Sequence, residues 1–247
     1  MIEKSEWILG KNALKEAIAA GTLIQKVYLS ETLEKETLHE LIKACRAENI
    51  SVLTVPKFKL DKLSRLQHQG VLAHISPIAF YKTADLVDMV YSQGKTPCLA
   101  LLDGITDVRN FGAIARSAEV FGVHGIVIGQ RNSAPVNLEA IKSSSGALLR
   151  IPICKDNNLV HTIKELRKTG FRLIGADEKA DSTLDDMEMN QPIVFIFGSE
   201  GEGISKELKM QIDIFVKIPQ EGQIASLNVS VSAGIFFYEW MKRKTKK

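Results

Sequence analysis

Five consecutive apolar residues, Ile193 to Phe197, are the feature that most restricts the fold of this chain. A strand that is apolar at every position needs cover on both faces, which is typical of a parallel sheet between two layers of helices. Strands and helices are predicted to alternate around this segment, so we expect an α/β fold. The expected strands are 98–102, 125–128, 150–153, 172–176, 193–197 and 214–218, and the expected helices are 110–121, 138–144, 159–168, 205–210 and 226–241.

The residues that precede this block show a second, smaller alternation. Helices are predicted at 12–20, 34–48 and 57–66, and strands at 26–29, 50–55 and 71–75. This pattern predicts a small α/β domain at residues 1–77 and a larger domain at 97–247. Residues 78–96 are predicted to be a linker that holds a helix near 84–91.

Composition excludes several classes of protein. The chain has 247 residues, of which 45% are hydrophobic and 25% charged, so a mainly disordered chain is excluded. Cys45, Cys98 and Cys154 are odd in number and far apart, which indicates reduced thiols rather than a disulfide scaffold. The first residues lack the pattern of a signal peptide, and no apolar run has the length of a membrane span. We therefore expect a soluble, cytoplasmic protein.

Net charge is only a weak indication of the partner. The formal charge of +3 includes five positive charges in residues 242–247, so the rest of the chain carries −2. A basic tail can add salt-dependent affinity for a phosphate backbone, or it can be the solvated end of a helix. Both interpretations stay open from the sequence.

The sequence lacks the motifs of several common enzyme classes. The loop after Leu102 has one glycine and no G-x-G-x-x-G pattern, which argues against dinucleotide binding. The glycine-rich segment 198–205 has Ile204 where a P-loop has lysine, and it contains two carboxylates. No G-x-S-x-G elbow is present, and the five histidines are not paired at metal-ligand spacing. Hydride transfer, nucleotide hydrolysis, serine hydrolysis and zinc chemistry are therefore disfavoured.

Three polar segments, each after a predicted strand, are the candidate functional loops. In the first, Asn110 is placed to cap a helix, and Arg116 follows about 9 Å along its axis. The second is the segment from Gly198 to Gly203, whose glycines permit close approach of a ligand to the backbone. The alternatives are a capped helix with a surface arginine and a plain glycine-rich turn.

The third segment runs from Ile218 to Gly234. It predicts a helix whose first turns carry Ser226, Asn228, Ser230 and Ser232, with Ser226 as a candidate N-cap. Ser230 and Gly234 are four residues apart, which would let another backbone pack closely. The alternative is a tightly packed core helix.

Together these segments resemble the three motifs of the SpoU/TrmH family within the SPOUT class of methyltransferases. The match rests on Asn110 with Arg116, on Gly198-Ser199-Glu200-Gly201-x-Gly203, and on Ile218-Pro219 followed by Ser226-Leu227-Asn228-Val229-Ser230. The amino-terminal part is similar to the family's L30e-like substrate-binding domain, through residues 8–13 and 68–71. Within the family, the similarity is greatest to the RlmB-type enzymes, which methylate a guanosine ribose in large-subunit ribosomal RNA.

The resemblance implies a fold, a cofactor and a dimer. The fold would be a parallel sheet with a carboxyl-terminal trefoil knot. In the dimer, the active sites would lie near the subunit interface, and the last helix would be part of that interface. S-adenosyl-L-methionine would bind in the knot, and no metal is implied. The residues placed at the cofactor are Gly198, Gly203, Ile218, Pro219 and Leu227.

The resemblance also implies catalytic residues. These are Arg116, Asn110, Glu200, Ser226 and Asn228. The family proposal makes the first-motif arginine the general base, but a guanidinium with a pKa above about 12 is rarely deprotonated. Arg116 could instead bind a phosphate and stabilise an alkoxide, so both roles stay open.

A polar stretch outside the three motifs would lie near the RNA substrate if the family layout holds. Its candidate RNA contacts are Arg131, Lys142 and Ser144, whose charges and hydroxyl suit phosphate and ribose. The alternative is an ordinary solvated loop.

The leading interpretation is a 2′-O-ribose methyltransferase that acts on a guanosine of large-subunit ribosomal RNA. A transfer-RNA methyltransferase of the same family is the second possibility, and a non-catalytic RNA-binding protein is the third.

Overall fold

The computed structural model describes residues 7–224 and 226–244, and it divides the chain into two compact units, Met1–Ala79 and Phe80–Lys247. The first unit is a four-stranded sheet with three helices among its described residues. In chain order its elements are β1 (Trp7–Leu9), α1 (Lys11–Ala19), β2 (Ile24–Ser30), α2 (Lys35–Ala47), β3 (Ser51–Val55), α3 (Lys57–Leu63) and β4 (Val71–Ile75).

The sheet of the first unit has the strand order β1-β4-β2-β3 and helices on both of its faces. Strand β4 is antiparallel to β1 and β2, while β2 and β3 are parallel. Alternate residues of a strand point to opposite faces, so Val71 and Ala73 pack with α1 and α2 while Leu72 packs with Leu60 of α3. Helix α3 therefore lies on the sheet face opposite α1 and α2.

The second unit alternates strands and helices throughout. Its strands are β5 (Phe80–Tyr81), β6 (Cys98–Leu102), β7 (Gly125–Gly129), β8 (Ile153–Asp156), β9 (Arg172–Ala176), β10 (Ser182–Thr183), β11 (Ile193–Phe197) and β12 (Ile214–Lys217). Its helices are α4 (Thr83–Ser92), α5 (Val108–Val120), α6 (Leu138–Ser143), α7 (Leu159–Lys168), α8 (Lys206–Lys209) and α9 (Val229–Lys244), with short 3-10 helices at Ala147–Leu149 and Leu184–Asp186.

The eight strands among the described residues of the second unit form one parallel sheet in the order β10-β12-β9-β11-β6-β7-β8-β5. Every residue of β6, β7 and β11 is buried, which confirms the expectation of a sheet covered on both faces. Strand β11 pairs with β6 in a register that sets Phe197 opposite Leu102. The loops that follow these two strands therefore leave the sheet side by side at one edge.

The linker expected at 78–96 differs in the structure. Strand β5 pairs with β8, and α4 places Leu86, Val87 and Val90 in the hydrophobic core of the second unit. These helical residues are covered by the core, and β5 is a strand of the sheet, so the segment from Phe80 to Ser92 belongs to the second unit.

Helix α5 begins two residues before the predicted start, because Asp107 and not Asn110 is its N-cap. One carboxylate oxygen of Asp107 accepts hydrogen bonds from the backbone N–H groups of Arg109 (2.8 Å) and Asn110 (2.9 Å). Asn110 is thereby left inside the first turn, where its side chain is available for other contacts.

Replacing Asp107 with alanine should lower the free energy of unfolding by about 1 kcal/mol, because two N–H groups of α5 lose their acceptor. Asp107→Ser should retain most of the stability, since a hydroxyl can also cap a helix. Urea unfolding of both variants measures the difference. Equal losses in the alanine and serine variants would contradict the capping role.

Two further boundaries were predicted wrongly. Helix α9 begins at Val229 rather than Ser226, because the side-chain oxygen of Asn228 accepts from the backbone N–H of Ser230 (2.9 Å). Strand β8 covers Ile153–Asp156 rather than 150–153, because the 3-10 helix Ala147–Leu149 moves the start of the strand toward the carboxyl end of the chain.

None of the described helices has both the length and the apolar character of a membrane span.

The imidazole of His124 connects α9 to the start of β6. Its Nδ1 accepts a hydrogen bond from the backbone N–H of Cys98 (3.0 Å), and its ring packs edge-on against Trp240. Burial, with the charges of Lys244 and Lys95, lowers the pKa of His124 to about 4. The folded protein therefore holds a neutral imidazole at this position.

This depressed pKa predicts a loss of stability in acid. The unfolded chain binds a proton at His124 near pH 6.5 and the folded chain only near pH 4, so the loss develops as pH falls between those values. Partial exposure of the ring reduces the effect to about 1–2 kcal/mol. His124→Asn keeps an acceptor for Cys98 and does not titrate. Urea unfolding at pH 7.5 and pH 5 should show a smaller acid loss in this variant, and identical losses would exclude His124 as the cause.

Candidate functional site

A cavity of about 430 Å³ opens at the carboxyl ends of β9, β11 and β12. This is the edge of a parallel sheet at which ligands bind, and the volume lies within the range of small-molecule sites. Its walls are the segments that follow these strands and the start of α9. Of the predicted cofactor residues, Gly198, Gly203, Ile218 and Leu227 line the cavity, while Pro219 does not.

The glycine loop after β11 closes tightly on itself. The backbone N–H of Gly203 donates to the carbonyl of Ser199 (2.9 Å), and the N–H of Ser199 donates to the carbonyl of Gly203 (3.2 Å). A Cβ atom at Gly198 would overlap the backbone of Gly203 and Ile204, and Gly203 has a φ of +68°. Both glycines are therefore required by the shape of this loop.

A hydrogen-bonded cluster joins the three predicted motif segments at the wall of the cavity. Glu200 Oε1 accepts from Asn110 Nδ2 at 3.0 Å and from Asn228 Nδ2 at 2.5 Å. Asn228 Nδ2 also donates to Asn110 Oδ1 at 3.0 Å. The structure thus brings together three of the five predicted catalytic residues from distant parts of the chain.

The two remaining predicted catalytic residues are placed differently. Ser226 lines the cavity beside Leu227. Arg116 is exposed on α5, about 120° around the helix from Asn110, and no hydrogen bond or ion pair joins it to another residue in the described ranges 7–224 and 226–244. Arg116 is therefore outside the cluster formed by its own chain.

Asp103 is a site residue that the sequence analysis missed. Its carboxylate accepts from the backbone N–H of Ser205 (2.7 Å), and its own N–H donates to the carbonyl of Phe197 (2.8 Å). These bonds fasten the loop after β6 to the loop after β11. An acidic residue directly after a buried strand is the signal that could have identified it.

The predicted RNA-contact residues divide into two groups. Arg131 and Lys142 are exposed. Ser144 is fully buried, its hydroxyl donates to the carbonyl of Ile141 (2.9 Å), and it accepts from the N–H of Leu148 (3.3 Å). Ser144 therefore holds the end of α6 in place and offers no surface to RNA, which corrects the prediction.

The small residue Gly234 packs within its own chain. A Cβ atom there would lie 3.4 Å from Ser117 Oγ of α5, and Phe121 packs edge-on against Tyr238. The close approach expected at Gly234 is thus a contact between α5 and α9.

The basic tail 242–247 is described in part. Lys242, Arg243 and Lys244 lie in α9, and the last three residues lie outside the described ones. Arg243 is bound to Asp185 and to two backbone carbonyls.

The part of the chain that the structure describes contains no group of three His, Cys, Asp or Glu side chains arranged to hold a metal ion. The site is instead built from backbone groups, two carboxamides and a carboxylate. Fold and site together define an α/β protein with a small-molecule pocket and a polar cluster at the carboxyl edge of its parallel sheet.

Comparison with known proteins identifies the family. The profile of the SpoU rRNA methylase family matches residues 97–238, and a profile described as RNA 2′-O ribose methyltransferase substrate binding matches residues 7–81. The chain therefore belongs to the SpoU/TrmH family of RNA methyltransferases.

Individual relatives extend over most of the chain. A protein of Staphylococcus haemolyticus named as a TrmH family tRNA/rRNA methyltransferase is 36% identical over 240 residues, which are 96% of this chain and 95% of the relative. The structure of an AdoMet-bound rRNA methyltransferase from Sinorhizobium meliloti has a TM-score of 0.60 at 22% identity, covering 98% of this chain and 88% of that one. A TrmH/SpoU tRNA modifying enzyme from A. aeolicus has a TM-score of 0.56 at 24% identity, covering 65% of this chain and 84% of that one.

Proposed function

We propose that the protein transfers a methyl group from S-adenosyl-L-methionine to the 2′-hydroxyl of a guanosine ribose in large-subunit ribosomal RNA. The observation that carries this proposal is the cluster of Asn110, Glu200 and Asn228 at the wall of the cavity. S-adenosyl-L-methionine is the cofactor of the family, and a related structure was solved with it bound.

The cavity fits this cofactor in size and in chemistry. Its volume is about 430 Å³, and its walls combine glycine backbone and apolar side chains with polar and charged side chains that can bind the amino-acid and ribose groups of the cofactor. Gly198, Gly203, Ile218 and Leu227 would hold the cofactor, chiefly by backbone groups that the glycines leave accessible. When bound, the cofactor supplies an electrophilic methyl group on a sulfonium.

The residues of the chain would position the ribose and assist its deprotonation. In-line attack depends on orientation, which can contribute about 7–11 kcal/mol to catalysis. The second carboxylate oxygen of Glu200 has no hydrogen bond from the cluster, so it can accept one from the ribose, with Ser226 alongside. Arg116 would act on the 2′-hydroxyl as a base, or on the neighbouring phosphate as a clamp that stabilises the alkoxide.

The exposed position of Arg116 supports a homodimer in which each site receives this residue from the other chain. Helices α5 and α9 pack against each other and expose the apolar side chains of Val120, Val231 and Tyr238. Covering these side chains would favour association of two chains. The partner subunit's Arg116 would then complete a site in which no arginine is found among the described lining residues of a single chain.

Ribosomal RNA is favoured as substrate by the two-unit architecture. The rRNA methyltransferase of S. meliloti matches nearly the whole chain, whereas the tRNA modifying enzyme of A. aeolicus matches about two thirds of it. The proposal places the protein in the cytoplasm, where ribosomes assemble. It also gives the second unit the family's trefoil knot and the first unit an L30e-like fold.

The test is methylation of unmodified ribosomal RNA and, separately, unmodified tRNA. Each RNA is digested to nucleosides, and 2′-O-methylguanosine is measured by mass spectrometry. Product in ribosomal RNA alone supports the proposal, and product in tRNA alone overturns the substrate. Absence of cofactor binding in the purified protein would favour a non-catalytic RNA-binding role.

A further inference from the structure

Helix α3 of the first unit and the turn after it are strongly basic. Residues 57–66 contain four basic side chains and one acidic side chain. Phe58 and Leu66 in the same segment are 56% and 62% exposed. We call the outward side of this segment the α3 surface; it consists of Lys57, Phe58, Lys59, Lys62, Arg65 and Leu66.

The α3 surface is held outward by the packing beneath it. Leu60 is fully buried against Val55 and Leu72, which fixes the inner side of α3 to the sheet. The basic and aromatic side chains consequently occupy the side of the helix that faces solvent.

The single carboxylate of this segment is already engaged. His68 Nδ1 accepts from the backbone N–H of Gly70 (3.1 Å), which leaves Nε2 as the nitrogen that donates to Asp61 Oδ1 (2.9 Å). Asp61 thus binds the turn that follows α3 and does not pair with any lysine of the α3 surface among the described residues. The segment keeps a net charge of +3, which can attract a negatively charged partner.

The opposite side of the same unit has the opposite charge balance. Helix α1 and residues 31–48, which include α2, lie on the other face of the sheet and together contain six acidic and five basic side chains. The positive charge of the first unit is therefore concentrated on one side, as expected for a surface that binds a phosphate backbone.

The aromatic ring distinguishes this surface from a purely electrostatic one. The Phe58 ring is exposed by more than half, and Lys62 Nζ lies 5.7 Å from its centroid. An exposed ring flanked by lysines can stack an unpaired base while the ammonium groups contact the adjacent phosphates. In a duplex the base faces are covered by their neighbours, so the ring selects unpaired nucleotides.

We propose that the α3 surface binds an unpaired segment of the RNA substrate, with a base stacked on Phe58 and phosphates on Lys59 and Lys62. This inference rests on the proposed function. It adds that the first unit contacts the RNA through the outward side of α3 and that the contacted RNA is unpaired.

The experiment measures binding of the full chain to a fluorescein-labelled 20-nucleotide single-stranded RNA of mixed sequence, and to the same strand annealed to its complement. Phe58→Ala should weaken single-strand binding roughly 5-fold or more, and Phe58→Tyr should restore it. Lys59→Ala/Lys62→Ala should reduce the slope of log affinity against log salt by about 1.4, or 0.7 for each phosphate contact. The matched control is Lys35→Ala/Lys43→Ala on α2, which removes the same charge from the opposite face and should leave binding unchanged.

If the wild type binds RNA, the assignment of this surface is overturned by unchanged RNA affinity in all α3 variants or by an equal loss of affinity in the α2 control. It is also overturned if duplex binding depends on Phe58 as strongly as single-strand binding does. It is overturned as well if Phe58→Ala changes the oligomeric state of the protein and leaves its RNA affinity unchanged. Methylation of ribosomal RNA by the α3 variants with an unchanged KM would also count against it. The proposed function itself fails by a different result, namely a wild-type protein that binds RNA or cofactor but produces no methylated nucleoside from either RNA.

Discussion

Arg116→Ala should lower kcat for RNA methylation by roughly 10²–10⁴-fold and leave the affinity for S-adenosyl-L-methionine unchanged. The loss follows because neither general-base action nor alkoxide stabilisation survives removal of the guanidinium. Cofactor affinity is preserved because Arg116 does not line the cavity. Single-turnover methylation and calorimetric titration of the cofactor measure the two quantities separately.

Arg116→Lys separates the two roles that remain open. A phosphate clamp tolerates an ammonium group in part, so activity between that of wild type and alanine indicates the clamp. A lysine acting as the base would instead make the rate rise with pH as its ammonium group deprotonates. Arg46→Ala, an exposed arginine on α2, is the control and should keep full turnover. Full turnover of Arg116→Ala would exclude Arg116 from catalysis.

Gly198→Ala should abolish measurable cofactor binding, and methylation with it. The added Cβ overlaps the backbone of Gly203 and Ile204, so the loop that walls the cavity must open. Gly201→Ala is a matched control in the same loop, because a Cβ at that position has no neighbouring atom within 4 Å. Titration of both variants with the cofactor tests the loop directly. Cofactor binding by Gly198→Ala at wild-type affinity would show that the closed loop is not the binding form.

The same two inactive variants test whether Arg116 acts across a dimer. In a mixed dimer of Arg116→Ala and Gly198→Ala chains, one site has an intact cavity from the first chain and an intact arginine from the second. Random pairing gives half mixed dimers with one working site each, so activity should recover to about a quarter of wild type. If Arg116 acts within its own chain, every site carries a defect, and co-expression restores nothing.

The sequence was most informative where a buried strand leads directly into a polar loop. Strands β6 and β11 are apolar at every position, so their alignment in a parallel sheet was expected. The two strands are neighbours in the sheet, a pairing that the sequence did not predict, so their following loops meet at one edge and bring Asn110 to Glu200. Asn228, which the third motif segment predicted as a site residue, is the third member of this cluster.

Features set by a single side-chain hydrogen bond were not predictable. The sequence analysis predicted Asn110 as the cap of α5 and Ser226 as the cap of α9, whereas the structure has Asp107 and Asn228 in these roles. In the structure Asn110 and Asn228 both donate to Glu200, but only Asn228 also accepts from the first turn of its helix, and no local pattern distinguishes the two residues. Burial of Ser144 depended likewise on the packing of α6, which no local pattern reveals.

The pairing of β6 with β11 also has a consequence for how the chain folds during synthesis. Cys98 and Ile193 are partners in the centre of the sheet, yet about 95 residues separate them along the chain. The chain loses the entropy of closing this long loop before it gains free energy from the contacts between β6 and β11. Folding of the second unit is therefore slow. A ribosome must therefore complete nearly the whole second unit before its sheet can close, whereas the first unit, whose strands all lie before residue 76, can fold as soon as it emerges.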